Sequence, residues 1–247
     1  MHASDREAAR LGMTRRERRR ALAGASPDAE PATRSPLSSL FDPVPEDELD
    51  SDGTPSLLTV CTGNICRSPI AEAMLRASLG ELGINISSAG THALVGQEMT
   101  AQAGELAVAG GARASDATRH RGRLLTERML IESDLVLTMT REHRGFAVQL
   151  TPSRLHRVFP VREFARLAGS LSDDDVRRAA DAGSTPRARL GAAVTAISHR
   201  RGLSGAATSK DDVIDPYRRD SEIYQQAARE LFPALTEVER VVRLALA

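Results

Sequence analysis

The sequence predicts an α/β fold in which a parallel, twisted sheet of four short strands carries helices on both faces. Two observations predict it. Short apolar runs of strand type alternate with longer stretches of helical spacing, the order that builds strand–helix–strand units. A polar loop containing glycine joins the first strand run to the first helical run, where such a sheet binds ligands.

Residues 1–53 show no sustained apolar periodicity. They hold the basic block Thr14-Arg15-Arg16-Glu17-Arg18-Arg19-Arg20, a Pro/Ser/Ala stretch from Ser26 to Ser39, and the acidic run Glu46 to Asp52. Blocks of charge with little apolar content predict a disordered tail, and its basic block could contact acidic surfaces. The folded domain is then 54–247. Ser56-Leu57-Leu58-Thr59-Val60 reads as the first strand. Ile70, Ala73, Met74 and Ala77, with Leu75, Leu79 and Leu82, recur at helical spacing. Pro69 suits the first turn of that helix and Gly83 ends it.

Ile84 to Ser88 reads as the second strand, and Thr100 to Ala109 as a helix stopped by Gly110-Gly111. A short helix over Thr126 to Ser133 leads into a third strand at Leu135 to Met139, and a fourth lies around Arg157 to Phe159. The last helical stretch runs from Ser221 to Leu246, with Ile223, Ala227, Leu231, Leu235, Val238, Val242 and Leu246 inward. Pro233 is expected to kink or split it. Residues 170–210 fit the alternation poorly. They read as a mostly helical insertion on the surface, with a flexible stretch at Gly202 to Lys210.

Lys and Arg total 33, as do Asp and Glu, so no global charge steers the chain toward nucleic acid or membrane. Aromatic residues make up 3% and Trp is absent, so the core must come from Leu, Val, Ile and Ala. No apolar run reaches the ~18 to 20 residues that span a bilayer, and the charged N-terminus lacks a signal-peptide core. The expectation is a cytoplasmic protein. Cys61 and Cys66 sit in one short segment, which favours reactivity over a disulfide framework. The histidines show no ligand spacing, so neither metal nor cofactor is expected.

The chemistry concentrates in Cys61-Thr62-Gly63-Asn64-Ile65-Cys66-Arg67-Ser68. Consecutive main-chain N–H groups in a tight loop before a helix cradle a tetrahedral oxyanion. Gly63 would supply the positive φ that such a loop needs, with Asn64 the next most tolerant type. A cysteine at the mouth of that cradle is favoured as thiolate. Arg67 brings a planar fork able to pair two phosphoryl oxygens, and Ser68 can donate to the departing sulfur. Cys66 reads either as packing or as a partner for a reversible disulfide with Cys61.

At these residues the chain resembles the low-molecular-weight protein tyrosine phosphatases, over about Ser56 to Leu246. The resemblance implies the four-stranded parallel sheet and a phosphocysteine mechanism. It gives Cys61 as nucleophile, Arg67 as phosphoryl clamp, and Asp215 of Asp215-Pro216-Tyr217 as general acid and base. Thr62, Gly63, Asn64, Ile65, Cys66 and Ser68 would bind phosphate, Leu94 and Tyr217 would flank the substrate ring, and Ser88 and His120 would support the loop. Leu94 and Asp215-Pro216-Tyr217-Arg218-Arg219 look like the bacterial branch that acts on tyrosine autokinases of capsule and exopolysaccharide export. A phosphotyrosine protein of that kind is the implied partner. In the related protein-arginine phosphatases a Thr stands where this chain has Ile65, which favours phosphotyrosine, although Thr62 resembles the arginine branch. Thiol-dependent arsenate reduction and a non-catalytic phosphotyrosine reader are the competing functions on the same loop.

Overall fold

The computed structural model describes residues 53–204 and 207–247; the expected N-terminal tail lies outside them. Four parallel strands form one sheet: β1 (Ser56–Cys61), β2 (Asn85–Gly90), β3 (Leu135–Thr138) and β4 (Val158–Pro160), in the order β2-β1-β3-β4. Leu57 lies beside Ile86 on one side and Leu135 on the other. Alternation along β1 then sends Leu57 and Cys61 to one face, Leu58 and Val60 to the opposite face. The expected fold class is the observed one.

The larger core face is covered by α1 (Arg67–Leu79), α2 (Ala101–Ala109), α6 (Val161–Ala168) and the C-terminal α10 (Ser221–Leu246). The smaller face is closed by α4 (Glu127–Glu132) and α5 (Arg141–Leu150) against Leu58, Val60, Val136 and Val158. The short α3 (Ala114–Arg119) follows α2. Three of these helices, α3, α5 and α6, have no counterpart in the sequence reading. None is shorter than α4, which the sequence reading does include, so length is not the reason. α3 and α5 bury few apolar residues, whereas α6 carries Val161, Phe164, Leu167 and Ala168 at helical spacing directly after the fourth strand.

The stretch after residue 170 departs from expectation in place, not in type. It is helical: α7 (Asp173–Ala180), capped by Ser172 and Asp175, α8 (Pro186–His199), capped by Thr185, and the single turn α9 (Arg201–Ser204). These helices do not lie on the surface. Val176, Ala180, Leu190, Val194 and Ile197 are each fully enclosed and join the main core with Val238 and Val242 of α10. Arg187 Nε pairs with Asp134 Oδ1 at 3.0 Å, while Asp134 Oδ2 accepts from Ser56 N at 2.9 Å. The Arg201 guanidinium pairs with buried Glu163 at 3.0 Å and lies 4.0 Å from the Phe159 ring centroid. Small apolar residues among arginines hid this inward face from the sequence.

Pro233 neither ends nor divides α10, which runs unbroken to Leu246. Pro233 and Arg229, whose carbonyl loses its i+4 donor, both lie on the exposed side, where water can replace that bond. At the start of α10 the buried residue is Tyr224, with Ile223 only half-buried. Among the described residues no helix is long and apolar enough to cross a membrane.

Because Leu190 sits in the main core, Leu190→Ala should cost about 2–5 kcal/mol of stability in urea denaturation. A surface addition would lose less than about 0.5 kcal/mol.

Candidate active site

The loop between β1 and α1 is held by its carbonyl groups. Thr91 N donates to Cys61 O at 2.9 Å, His92 N to Thr62 O at 3.0 Å, and Leu94 N to Gly63 O at 3.0 Å. His120 Nε2 donates to Asn64 O at 2.7 Å. Thr100 N reaches Ile65 O at 3.0 Å and Ile70 N reaches Cys66 O at 3.1 Å. With all these carbonyls turned outward, the N–H groups are left to face the concave side, as in an anion-binding nest. Among the described residues the N–H groups of Gly63, Ile65 and Cys66 meet no acceptor.

The left-handed residue of this turn is Asn64, at φ 55°, and not Gly63. Its side chain explains the exchange. Asn64 Nδ2 donates to Ser68 Oγ at 2.9 Å and to Ser88 Oγ at 2.8 Å, while Oδ1 accepts from Arg123 N at 2.8 Å. The glycine that the loop requires is Gly90, at the end of β2. A Cβ there would stand 2.4 Å from Thr62 O and 3.0 Å from Asn64 N.

Cys61 closes β1 and is buried. Its Sγ accepts from Asn64 N at 3.3 Å and from Ser68 Oγ at 3.0 Å. Behind the loop, Ser88 Oγ donates to Glu72 Oε2, and His120 Nδ1 lies 3.6 Å from the same oxygen. Glu72 is nearly enclosed. Burial pushes its carboxyl up, but the contacts from His120 and Ser88, with Arg76 and Arg123, outweigh this and hold it below the usual range.

Arg67, in the first turn of α1, is buried with its side chain 4% exposed. One terminal nitrogen donates to Val213 O at 3.1 Å, and the other pairs with Asp215 Oδ2 at 2.9 Å. Its Nε is enclosed without an acceptor, an unmet donor that an incoming oxyanion could use. Asp215 is half-exposed. It is positioned from both sides: Val213 N donates to Met139 O, Asp212 is gripped by Arg141, and Asp215 Oδ1 caps Tyr217 N at 3.2 Å. Two segments distant in sequence thus bring a carboxylate onto the guanidinium that ends the cysteine loop.

Leu94, hydrogen-bonded through its N–H to the loop, is 40% exposed, and Tyr217 is 37% exposed beside Asp215. Ile65 is buried. Cys66 lies near Thr100 Oγ1 and Tyr224 Oη, each at 3.5 Å, and burial raises its thiol. Among the described residues no three acidic, histidine or cysteine side chains gather as a metal site.

Sequence reasoning missed Glu72, Gly90, His143 and Tyr224 here. Glu72 was within reach: it follows Ser68 by one helical turn, so it must share the face of α1 that looks at the loop. His143 offered no such sign. It is buried on α5, with Nε2 2.8 Å from Thr62 Oγ1 and Nδ1 2.9 Å from Thr140 Oγ1. Burial, then the positive charge of Arg67, depresses its pKa to about 4.

That depression has a definite sign. Between about pH 6.5 and 4 the unfolded chain accepts a proton that the folded His143 refuses, so stability is full above this window and falls through it. Denaturation of the wild type and His143→Gln at pH 7.5 and 4.5 should show the wild type losing about 2–3 kcal/mol more than the variant. Equal losses would show that His143 charges freely in the fold.

A family model, low molecular weight phosphotyrosine protein phosphatase, matches residues 56–176. Over 97 residues the chain is 42% identical to the low molecular weight protein-tyrosine-phosphatase Etp of Escherichia coli (strain K12), a match covering 39% of this chain and 62% of Etp. The alignment with Etp therefore takes in less than two thirds of that relative's length. Over 120 residues it is 34% identical to the protein-arginine-phosphatase of Bacillus subtilis (strain 168), covering 47% of this chain and 75% of that relative. The crystal structure of a low molecular weight protein tyrosine phosphatase from T. tengcongensis matches with a TM-score of 0.51 at 28% identity, over 75% of this chain and 97% of that one. Over 108 residues the chain is 36% identical to the probable low molecular weight protein-tyrosine-phosphatase EpsP of Ralstonia nicotianae (strain ATCC BAA-1114 / GMI1000), covering 44% of this chain and 71% of that relative. With the motif, the fold and these matches in agreement, the chain belongs to the low molecular weight protein-tyrosine-phosphatase family.

Proposed function

We propose that the chain hydrolyses phosphotyrosine in proteins through a phosphocysteine intermediate on Cys61. One observation supports the reading: the Asp215 carboxylate pairs at 2.9 Å with the buried Arg67 fork that ends the loop begun by Cys61, and the N–H groups of Gly63, Ile65 and Cys66 in that loop meet no acceptor among the described residues. In the first step Cys61 Sγ attacks phosphorus. The N–H groups of Thr62, Gly63, Asn64, Ile65, Cys66 and Arg67 and the Arg67 guanidinium receive the equatorial oxygens. The P–O bond breaks, and Asp215 gives its proton to the departing phenolate.

In the second step the Asp215 carboxylate takes a proton from water, water attacks phosphorus, and the S–P bond breaks. Ser68 Oγ, 3.0 Å from the sulfur, donates to the departing thiolate. Glu72, Ser88 and His120 act through Asn64 and hold the loop in shape; none of them touches the reacting atoms. Leu94 and Tyr217 flank the entrance, giving an aliphatic and an aromatic surface for a phenyl ring. The physiological substrate on this reading is a phosphotyrosine protein, a bacterial tyrosine autokinase among the candidates the sequence resemblance raises.

Phosphoarginine is the second reading, favoured by the Bacillus relative and by Thr62. The enclosed, apolar Ile65 offers a guanidinium no hydroxyl, which puts phosphotyrosine first. Release of phosphate from phosphotyrosine peptides and from phosphoarginine protein, measured side by side, decides between them. Higher kcat/KM on phosphoarginine would reverse the order.

Cys61→Ser should abolish turnover, whereas Cys61 variants that retained it would end the covalent mechanism. Asp215→Asn should lower kcat on phosphotyrosine by about 10²–10⁴-fold. Activated aryl phosphates, which leave without a proton, should lose much less.

A further inference from the structure

The catalytic loop is not the only concentration of positive charge on α1. A cavity of about 260 Å³ opens over one face of that helix, edged by Arg76, Arg119, Arg121 and Arg123 and floored by Glu72 and His120. Four guanidinium groups stand against two carboxylates in its lining, Glu72 and Asp116. Glu98 reaches Arg121 at 2.9 Å from outside the lining, so the local excess is one to two positive charges. The four arginine side chains are 43%, 74%, 50% and 43% exposed in chain order. Each already has acceptors that an oxyanion would compete with: Arg76 bonds Ile86 O at 2.9 and 2.7 Å, Arg119 bonds Ser115 O and Asp116, Arg121 bonds Thr118 O and His120 O, and Arg123 bonds Glu72. The volume falls just under the roughly 300 Å³ at which small-molecule pockets begin. That suits a phosphoryl group with a small remainder.

The floor of this cavity is the rear of the catalytic loop. Arg76 and Arg123 pair with Glu72 Oε1 at 2.8 and 3.4 Å. Glu72 Oε2 accepts from Ser88 Oγ and lies beside His120, and both of these residues bond Asn64. Arg123 also reaches Asn64 directly, through its main-chain N–H. A ligand that draws the two guanidinium groups off Glu72 therefore changes the support of the residue that shapes the loop. Planar arginine forks match phosphoryl oxygens in pairs.

We propose that this cavity is a second oxyanion site, taking the phosphoryl dianion of inorganic phosphate or of a small phosphomonoester, and that Glu72 couples its occupancy to the catalytic loop. Binding at the cavity stands apart from the phosphatase reading; only the coupling rests on it. No covalent step is involved.

Equilibrium dialysis of labelled inorganic phosphate against the full chain tests the site. Two phosphates should bind per chain, falling to one in Arg119→Ala/Arg121→Ala, whose arginines are 74% and 50% exposed and pair with Asp116 and Glu98. A wild type that binds a single phosphate, retained in that variant, overturns the cavity site and leaves the phosphatase reading untouched. A single phosphate lost in the variant upholds the cavity and counts against the catalytic loop. Displacement by glycerol 2-phosphate, measured on Cys61→Ser so that the ester survives, separates an organic ligand from free phosphate. For the coupling, added phosphate should lower kcat as well as raise apparent KM for 4-nitrophenyl phosphate in the wild type, and raise only KM in the double variant. Purely competitive inhibition in both overturns the coupling.

Discussion

The amide of Asn64 is the fixed point of this molecule. Its backbone takes a left-handed turn at φ 55° that costs an ordinary side chain energy, and its amide recovers that cost with bonds to Ser68, Ser88 and Arg123. Each of those bonds binds a different element: Ser68 lies in the first turn of α1, Ser88 lies on β2, and Arg123 follows α3. The loop that surrounds Cys61 thus inherits its shape from three directions at once. Preorganisation of this kind matters because a donor already aimed at the oxyanion need not reorganise during reaction. A glycine in place of Asn64 would accept the turn and lose the bonds, which is why the backbone angle alone does not explain the residue.

Behind Asn64 lies an enclosed carboxylate, Glu72, surrounded by a serine, a histidine and two arginines. Burying a charge is costly unless it is paired and hydrogen-bonded. Three of its partners, Ser88, His120 and Arg123, come from segments that must meet at the loop, so a misplaced β2 or 120–123 segment leaves the buried charge with only Arg76 of its own helix. The chain makes wide use of arginine in the same manner. With 3% aromatic residues and no Trp, elements are joined by guanidinium groups reaching main-chain oxygens and carboxylates, as Arg201 does to Glu163 and Val158 O.

Much of this was legible in the sequence and the remainder was not, for physical reasons. The four strands could be read because β1, β3 and the runs beside them are short, apolar and bounded by polar turns. The cysteine loop could be read because one contiguous segment carries nucleophile, turn residue and arginine. What escaped notice depends on distant partners. Gly63 looks like the loop's essential glycine until the close approach of Gly90 to Thr62 O is seen. His143 is one histidine among six until α5 folds it against Thr62. The 170–210 segment looks like surface because its inward residues, Val176, Ala180 and Val194 among them, are small and spaced among arginines. Tyr224 is absent from the inward set read for α10, and only the folded helix brings its hydroxyl within 3.5 Å of Cys66 Sγ.

The anchoring of α8 has a further consequence. Arg187 N bonds to Gly53 O, and its side chain meets Asp134, which in turn holds Ser56; all of these lie where β1 and β3 begin. The cysteine sits where β1 finishes. Foundation and workplace are therefore at opposite ends of the same strands, a full strand length apart. The groups that touch the sulfur, Asn64 N and Ser68 Oγ, share no bond with this foundation among the described residues.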